Sequence, residues 1–208
     1  MDDRRAYELY PHHRKWFNKL WFSESMQYNC GPSGTFPNVD GWYIVRPIMN
    51  LSGMSVGARK QYISAYDKTQ VEPGYFWCEW FEDVQYSVTY KNVNGKWVQS
   101  SCWRADRNCD QLYKFKRWFR YDHQIFSLPK FFDELLDLDL INVEFVGKNP
   151  IEVHLRESPD PKYDEFIPVW KGEKELVDKY KRMGYSYTES YDDADGFLKQ
   201  PRVGFLVK

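Results

Sequence analysis

Residues 141–158, INVEFVGKNPIEVHLRES, constrain the fold of this chain more than any other stretch. Apolar Ile141, Val143 and Phe145 alternate with Asn142 and Glu144, so the two polar side chains share one face of a short strand. Gly147-Lys148-Asn149-Pro150 supplies a turn, and residues 151–155 return beside the first strand. That second strand carries Glu152, His154 and Arg156 on one side. Pairing the two strands brings Glu144 and Glu152 together. Carboxylates that close repel unless a cation lies between them, and hard oxygen ligands suit Mg2+ carrying a nucleotide's phosphates. The same alternation also fits a solvated hairpin face with scattered charges.

A chain of 208 residues is long enough for one large domain or for two lobes sharing a cleft. Its 29 Lys and Arg against 30 Asp and Glu leave a net charge of -1, which excludes the global basic field of unspecific nucleic-acid or membrane binders. Cys30, Cys78, Cys102 and Cys109 are scattered without CxxC spacing, so they read as reduced thiols, and a zinc site from Cys102 and Cys109 lacks the finger-like spacings. The charged start MDDRRAYELYPHHRK argues against a secretory signal, and no apolar run reaches membrane-spanning length. A cytoplasmic setting is therefore expected.

Along the chain, Trp16, Phe17, Leu20, Trp21 and Met26 are spaced for a short amphipathic helix over residues 11–27, followed by a Gly- and Pro-rich loop to residue 38. His12 and His13 read as surface residues. Residues 41–48, GWYIVRPI, form an apolar strand interrupted by Arg46, whose guanidinium needs an anionic partner or a route to solvent. Directly after it, NLSGMSVGARK carries Gly53 and Gly57 with small Ser52 and Ser55, a loop whose N–H groups can approach an anion closely. A mobile hairpin turn has the same composition. Strands are expected over residues 61–67, 75–81, 85–90 and 96–103, with Asn94-Gly95 as a hairpin turn. KFKRWFR, residues 114–120, interleaves cations with rings as single-stranded nucleic-acid binders do, but its spacing favours a helix with a solvated cationic face. LPKFFDELLDLDL, residues 128–140, reads as the clearest helix, and residues 157–170 as a proline-rich loop. Residues 173–183 read as a helix ended by Gly184, residues 204–208 as a last strand, and YDDAD as a solvated turn without the EF-hand pattern.

The order of these features, from basic strand and glycine loop through an acidic-aromatic strand to a helix and paired carboxylates, resembles the ATP-grasp superfamily over residues 18–156. INVEF followed by IEVHLR is similar to the family's closing motif, so the resemblance implies Glu144 and Glu152 as metal ligands, with His154 where Asn is usual, and Arg156 as a catalytic arginine. Arg46 stands in place of the usual phosphate-binding lysine, which keeps the charge and changes the geometry. SGMSVGA, with Ser52, Gly53, Met54 and Gly57, is similar to the flexible glycine-rich loop. CEWFEDVQYSV is similar to the adenine hinge, with Cys78, Glu79 and Phe81 beside the base and Gln85 where a ribose-binding acid is common. Residues 18–32 look like the helix and loop that precede this domain. Asn142 sits where several members carry an arginine, and Arg104, Arg107 or Arg156 could take that role. Too few residues precede Gly41 for the family's usual N-terminal domain, and a unit of this size is similar to short ATP-grasp-like proteins of bacteriophages.

What the resemblance implies is an α+β ATP-grasp-like domain of two lobes, each an antiparallel sheet with flanking helices, with a nucleotide cleft between them. Residues 1–40 would be an N-terminal helix and loop, 41–80 the glycine-loop lobe and 81–208 the carboxylate-bearing lobe. The expected chemistry is ATP- and Mg2+-dependent ligation of a carboxylate to an amine, or of a peptide, through an acyl phosphate. A catalytically silent relative with a structural or regulatory role, and a nucleic-acid-binding module using KFKRWFR, are the alternatives.

Overall fold

The computed structural model describes residues 1–107, 111–160 and 162–208. Two side-chain caps start the opening helices. Asp2 accepts from the Arg5 N–H at 2.8 Å ahead of α1 (Asp3–Leu9), and Asn18 accepts from the Trp21 N–H at 2.9 Å ahead of α2 (Lys19–Ser25). A 3-10 turn, Pro11–Phe17, lies between them. The single helix expected over residues 11–27 is therefore broken at Asn18, which leaves helical geometry to cap the next segment.

Four antiparallel strands make the smaller sheet: β1 (Cys30–Pro32), β2 (Gly41–Pro47), β3 (Arg59–Ile63) and β4 (Tyr75–Glu79), in the order β1-β4-β2-β3. Its outer face packs Tyr43, Val45, Ile63, Val71 and Trp77 together, so alternation sends Ile44, Arg46 and Cys78 to the other side. Eight antiparallel strands make the larger sheet: β5 (Gln85–Asn92), β6 (Trp97–Arg107), β7 (Phe115–Arg120), β8 (Leu140–Val146), β9 (Asn149–His154), β10 (Glu165–Trp170), β11 (Ser186–Asp192) and β12 (Arg202–Val207). Their order is β11-β12-β10-β7-β6-β5-β8-β9. One face carries Tyr86, Val88, Tyr90, Ile141, Val143 and Phe145 against Ala6, Trp16, Phe22, Phe132 and Leu135, which is the main core. The opposite face carries Ser87, Thr89, Asn142, Glu144, Glu152 and His154 by register. At the far end α3 (Lys174–Arg182) covers Ile167, Val169 and Leu206 with Leu176, Val177 and Tyr180. The α+β class with two antiparallel sheets is as the sequence suggested.

Three local expectations need correction. Residues 114–120 are not a helix but contain β7, an inner strand whose Arg117 pairs with Asp106 at 2.7 Å and Glu165 at 3.5 Å, and whose Arg120 pairs with Asp122. The two arginines that suggested nucleic-acid binding are thus paired with acids of the chain itself. The helix expected over 128–140 shrinks to a 3-10 turn, Lys130–Leu135. Pro129 gives it no side-chain cap, and Asp137 and Asp139 follow where the negative end of a longer helix would lie. The loop expected over 157–170 contains β10, which joins β12 to β7, and β11 was not anticipated at all. Cys109 lies outside the described residues. No helix among the described residues is long and apolar enough to cross a membrane.

Candidate functional site

The cleft between the two sheets is built from residues that local folding cannot leave elsewhere. Arg46 sits in an apolar strand and is 8% exposed, so its guanidinium must find oxygens. It stacks 5.2 Å over the Phe76 ring and donates to Ile151 O at 3.0 Å, reaching from the small sheet to β9 of the large one. Its Nε has no partner among the described residues. On the facing strands Glu144 and Glu152 are direct register partners. Gln85 Nε2 donates to Glu144 Oε2 at 3.1 Å, and Arg107 in turn donates to Gln85 Oε1 at 2.7 Å. Burial pushes the Glu144 carboxyl up. Burial would do the same to Glu152, but Lys19, His154 and Arg46 outweigh it and hold that carboxyl below its ordinary range.

Two joined compartments follow. The first encloses about 830 Å³, solvent at its mouth included, between Ile44, Arg46, Cys78, Glu79 and Phe81 on one side and Gln85, Arg107, Glu144 and Glu152 on the other. The second, about 1390 Å³ on the same reckoning, runs over His154 and Arg156 towards an aromatic wall of Trp118, Phe166, Trp170 and Phe205. Lys19, Ser55, Gln85, Glu144 and Glu152 line both, so the space is continuous.

The glycine loop roofs the junction, with Ser52, Gly53 and Met54 over the second compartment. Gly53, Met54 and Ser55 all have positive φ, and Asn50 fixes the turn by accepting from the Ser52 N–H and donating to Gly53 O, both at 3.0 Å. Gly57 lines neither compartment. Its φ of +75° and the closeness of Pro47 and Tyr75 make it a structural corner of the loop.

Arg104 is not in the cleft. It pairs in register with Tyr86 and Phe119, on the helix side of the sheet, and stacks over Phe119 at 5.3 Å. Arg107, three residues on, is the arginine that the strand alternation delivers to the cleft. His154 and Arg156 do line it, but both hold Asp3: Arg156 by two contacts of 2.8 Å and His154 Nδ1 at 3.0 Å. Among the described residues no three His, Cys, Asp or Glu side chains converge as a ready metal cluster, so Glu144, Glu152 and His154 do not close into a triad.

Lys19 and Asp3 were not singled out from sequence. Lys19 is 7% exposed, and its Nζ contacts Glu152 Oε1 at 2.6 Å. Its backbone N–H donates to Ile48 O at 2.8 Å, which pins the start of α2 to the exit of β2. The signal available was the one that exposed Arg46, a lone cation inside the aromatic run WFNKLWF.

No family model matches the sequence, and no curated protein is significantly similar to it. Solved structures are similar in fold. Carboxyaminoimidazole ribonucleotide synthase from Aspergillus clavatus complexed with ATP superposes with a TM-score of 0.56 at 8% identity, over 93% of this chain and 68% of the other. The same synthase with ADP and its aminoimidazole ribonucleotide gives 0.55 at 8% identity, over the same shares. An L-amino acid ligase from Bacillus licheniformis gives 0.49 at 11% identity over 70% of this chain, which spans only 42% of that ligase's length. Small sheet, glycine loop, large sheet and intervening cleft together make the fold of this chain ATP-grasp-like.

Proposed function

We propose that this chain is an ATP-dependent ligase that joins a carboxylate to an amine or a similar nucleophile, with the nucleotide held between the two sheets. One observation carries the reading: the cleft sets the buried cations Arg46 and Lys19 beside the facing carboxylates Glu144 and Glu152. Fold neighbours solved with ATP and with ADP support it.

The donor set fits the nucleotide and its metal. Mg2+ is ordinarily held by one or two carboxylates plus phosphate oxygens, so Glu144 and Glu152 suffice without a third protein ligand. The buried Nε of Arg46, without a partner among the described residues, is a donor in want of an anion. Bound there, ATP with Mg2+ would supply the phosphoryl group that activates a carboxylate as an acyl phosphate.

Cys78, Glu79 and Phe81 would flank the base, and Gln85 would orient Glu144 while offering its amide to the sugar. Ser52, Gly53, Met54 and Ser55 would close over the phosphates and exclude water. Arg46 and Arg107 would neutralise them, and Lys19, when released from Glu152, would turn its ammonium to the same oxygens. His154 and Arg156 would border the acceptor, once separated from Asp3.

That last condition also favours a second reading, a nucleotide-binding relative without ligase chemistry, because Asp3 and Lys19 already occupy groups the reaction needs. Release of ADP from Mg-ATP in the presence of a mixed carboxylate and amine library separates the two. A ligase turns over, and Arg46→Lys keeps more activity than Arg46→Gln, which falls about 10²- to 10³-fold. Mg-ATP binding with no ADP release under any mixture favours the silent relative.

A further inference from the structure

We propose that Cys30 and Cys78 are an oxidation site, a cross-strand dithiol that a hydroperoxide converts into a disulfide on the wall of the cleft. β1 and β4 run antiparallel with Cys30 directly opposite Cys78. The backbone ladder fixes the kind of pair. The Glu79 N–H donates to Asn29 O at 2.8 Å on one side, and the Ser33 N–H donates to Tyr75 O at 3.1 Å on the other. Hydrogen-bonded and unbonded pairs alternate along such a ladder, so the pair at 30 and 78 is an unbonded one. Unbonded pairs stand about 4.5 Å apart at Cα with their side chains closest, inside the range of about 4.4–6.8 Å that a disulfide spans. The bond therefore needs no backbone movement.

The two thiols are also unequal. Cys78 is held below the ordinary thiol value, first by the Cys30 thiol that can donate to it, against the effect of its burial, and with help from the Arg46 guanidinium. Cys30 is pushed up for the complementary reason. Cys78 is thus the attacking sulfur and half-buried Cys30 the resolving one. Peroxide reaches Cys78 through the cleft, which its side chain lines. Cys102 offers the contrast: it lies in the main core, and burial pushes its thiol up to about 12.

In the first step the Cys78 thiolate attacks a peroxide oxygen and the O–O bond breaks. The hydroxide released takes a proton and leaves as water, which makes Cys78 a sulfenic acid. In the second, the Cys30 sulfur attacks that of Cys78, the S–O bond breaks, and the Cys30 proton leaves with the hydroxyl as a second water. Two thiols are oxidised and one peroxide is reduced. A small dithiol such as dithiothreitol reverses the bond.

The test treats the full chain with equimolar hydrogen peroxide, blocks remaining thiols with an alkylating agent and digests it. A dithiothreitol-sensitive peptide pair joining Cys30 to Cys78, with Cys102 alkylated, supports the proposal. Cys30→Ser should abolish the pair and carry Cys78 on to sulfinic acid, whereas Cys102→Ser should leave the pair intact. Recovery of Cys30 and Cys78 both alkylated, or each oxidised alone in the unsubstituted chain, overturns it. A last arm rests on the nucleotide reading above: Mg-ATP at ten times its Kd should slow the cross-link about tenfold if the base covers Cys78. Cross-linking at an unchanged rate upholds the dithiol and removes the nucleotide from that wall.

Discussion

Arg156 grips Asp3 through two parallel contacts of 2.8 Å, and His154 adds a third at 3.0 Å, all with side chains at most 13% exposed. Removing one partner of such a group leaves the others charged and desolvated. Asp3→Ala should therefore cost about 3–5 kcal/mol in denaturant unfolding. Burial alone would raise the Asp3 carboxyl, but His154 and Arg156 take it far below its ordinary 3.8, so its contribution is present above 3.8 and lost as pH falls through the depressed value. His154 is the opposite case. Burial would lower it, yet Asp3 raises it above 6.5, so its share is full below 6.5 and lost as pH climbs through the raised value. The stability that Asp3 confers, taken as the difference between the parent and Asp3→Ala, should be level and largest between about pH 4 and 6.5 and fall on either side, and a difference that stays flat well below pH 4 and well above 6.5 would contradict the clamp. Sequence reasoning found Arg46, Glu144 and Glu152 because a charge inside an apolar alternation is conspicuous. Asp3 was invisible: it lies 153 residues from Arg156, and nothing local says which strand α1 will meet.

The glycine loop differs from its neighbours in being held in shape by backbone rather than by core. Gly53 and Gly57 both have positive φ, but a Cβ on Gly53 would meet nothing within 4 Å, whereas one on Gly57 would lie 2.7 Å from the Tyr75 hydroxyl and 2.9 Å from Pro47. Gly53→Ala should accordingly lose only the backbone preference, about 1–2 kcal/mol. Gly57→Ala should lose about 1–3 kcal/mol more, because Pro47 at the end of β2 cannot give way. Equal losses in parallel unfolding titrations would refute this division of the loop into an open tip and a packed corner. Composition alone located the loop. β7 shows what composition misses, since KFKRWFR has helical spacing on paper and becomes a strand because β6 and β10 offer it partners and acids for its arginines. The turn at Lys130–Leu135 errs the other way: Phe132 and Leu135 are fully buried, as one face of the expected helix would be, but an apolar face does not set helix length when acids crowd the end.

At the scale of the molecule, the two sheets meet through a few polar bridges rather than a shared core. Arg46 of β2 donates to Ile151 O and Tyr28, ahead of β1, to Pro150 O, both at 3.0 Å. Lys19 of α2, the helix whose Phe22 packs in the main core, meets Glu152 of the same strand at 2.6 Å and donates its backbone N–H to Ile48 O beyond β2. Main core and small-sheet core are separate clusters. A ligand seated in the cleft therefore couples two bodies that otherwise communicate through these contacts, and binding only the folded pair should stabilise both. Mg-ATP at a hundred times its Kd should add about 2.7 kcal/mol, which for a chain of this size corresponds to a rise in Tm of about 5–11 °C. ATP with a chelator should achieve less, since Glu144 and Glu152 would then face phosphates without an intervening cation. Glu144→Gln tests the metal arm most cleanly, because among the described residues Glu144, unlike Glu152, makes no salt bridge: the Gln85 amide donates to it, so its loss leaves no buried lysine stranded. In that variant Mg2+ should no longer improve the shift that ATP produces. A Tm that stays put with Mg-ATP in the parent chain would separate the fold from the nucleotide and return the cleft to some other ligand.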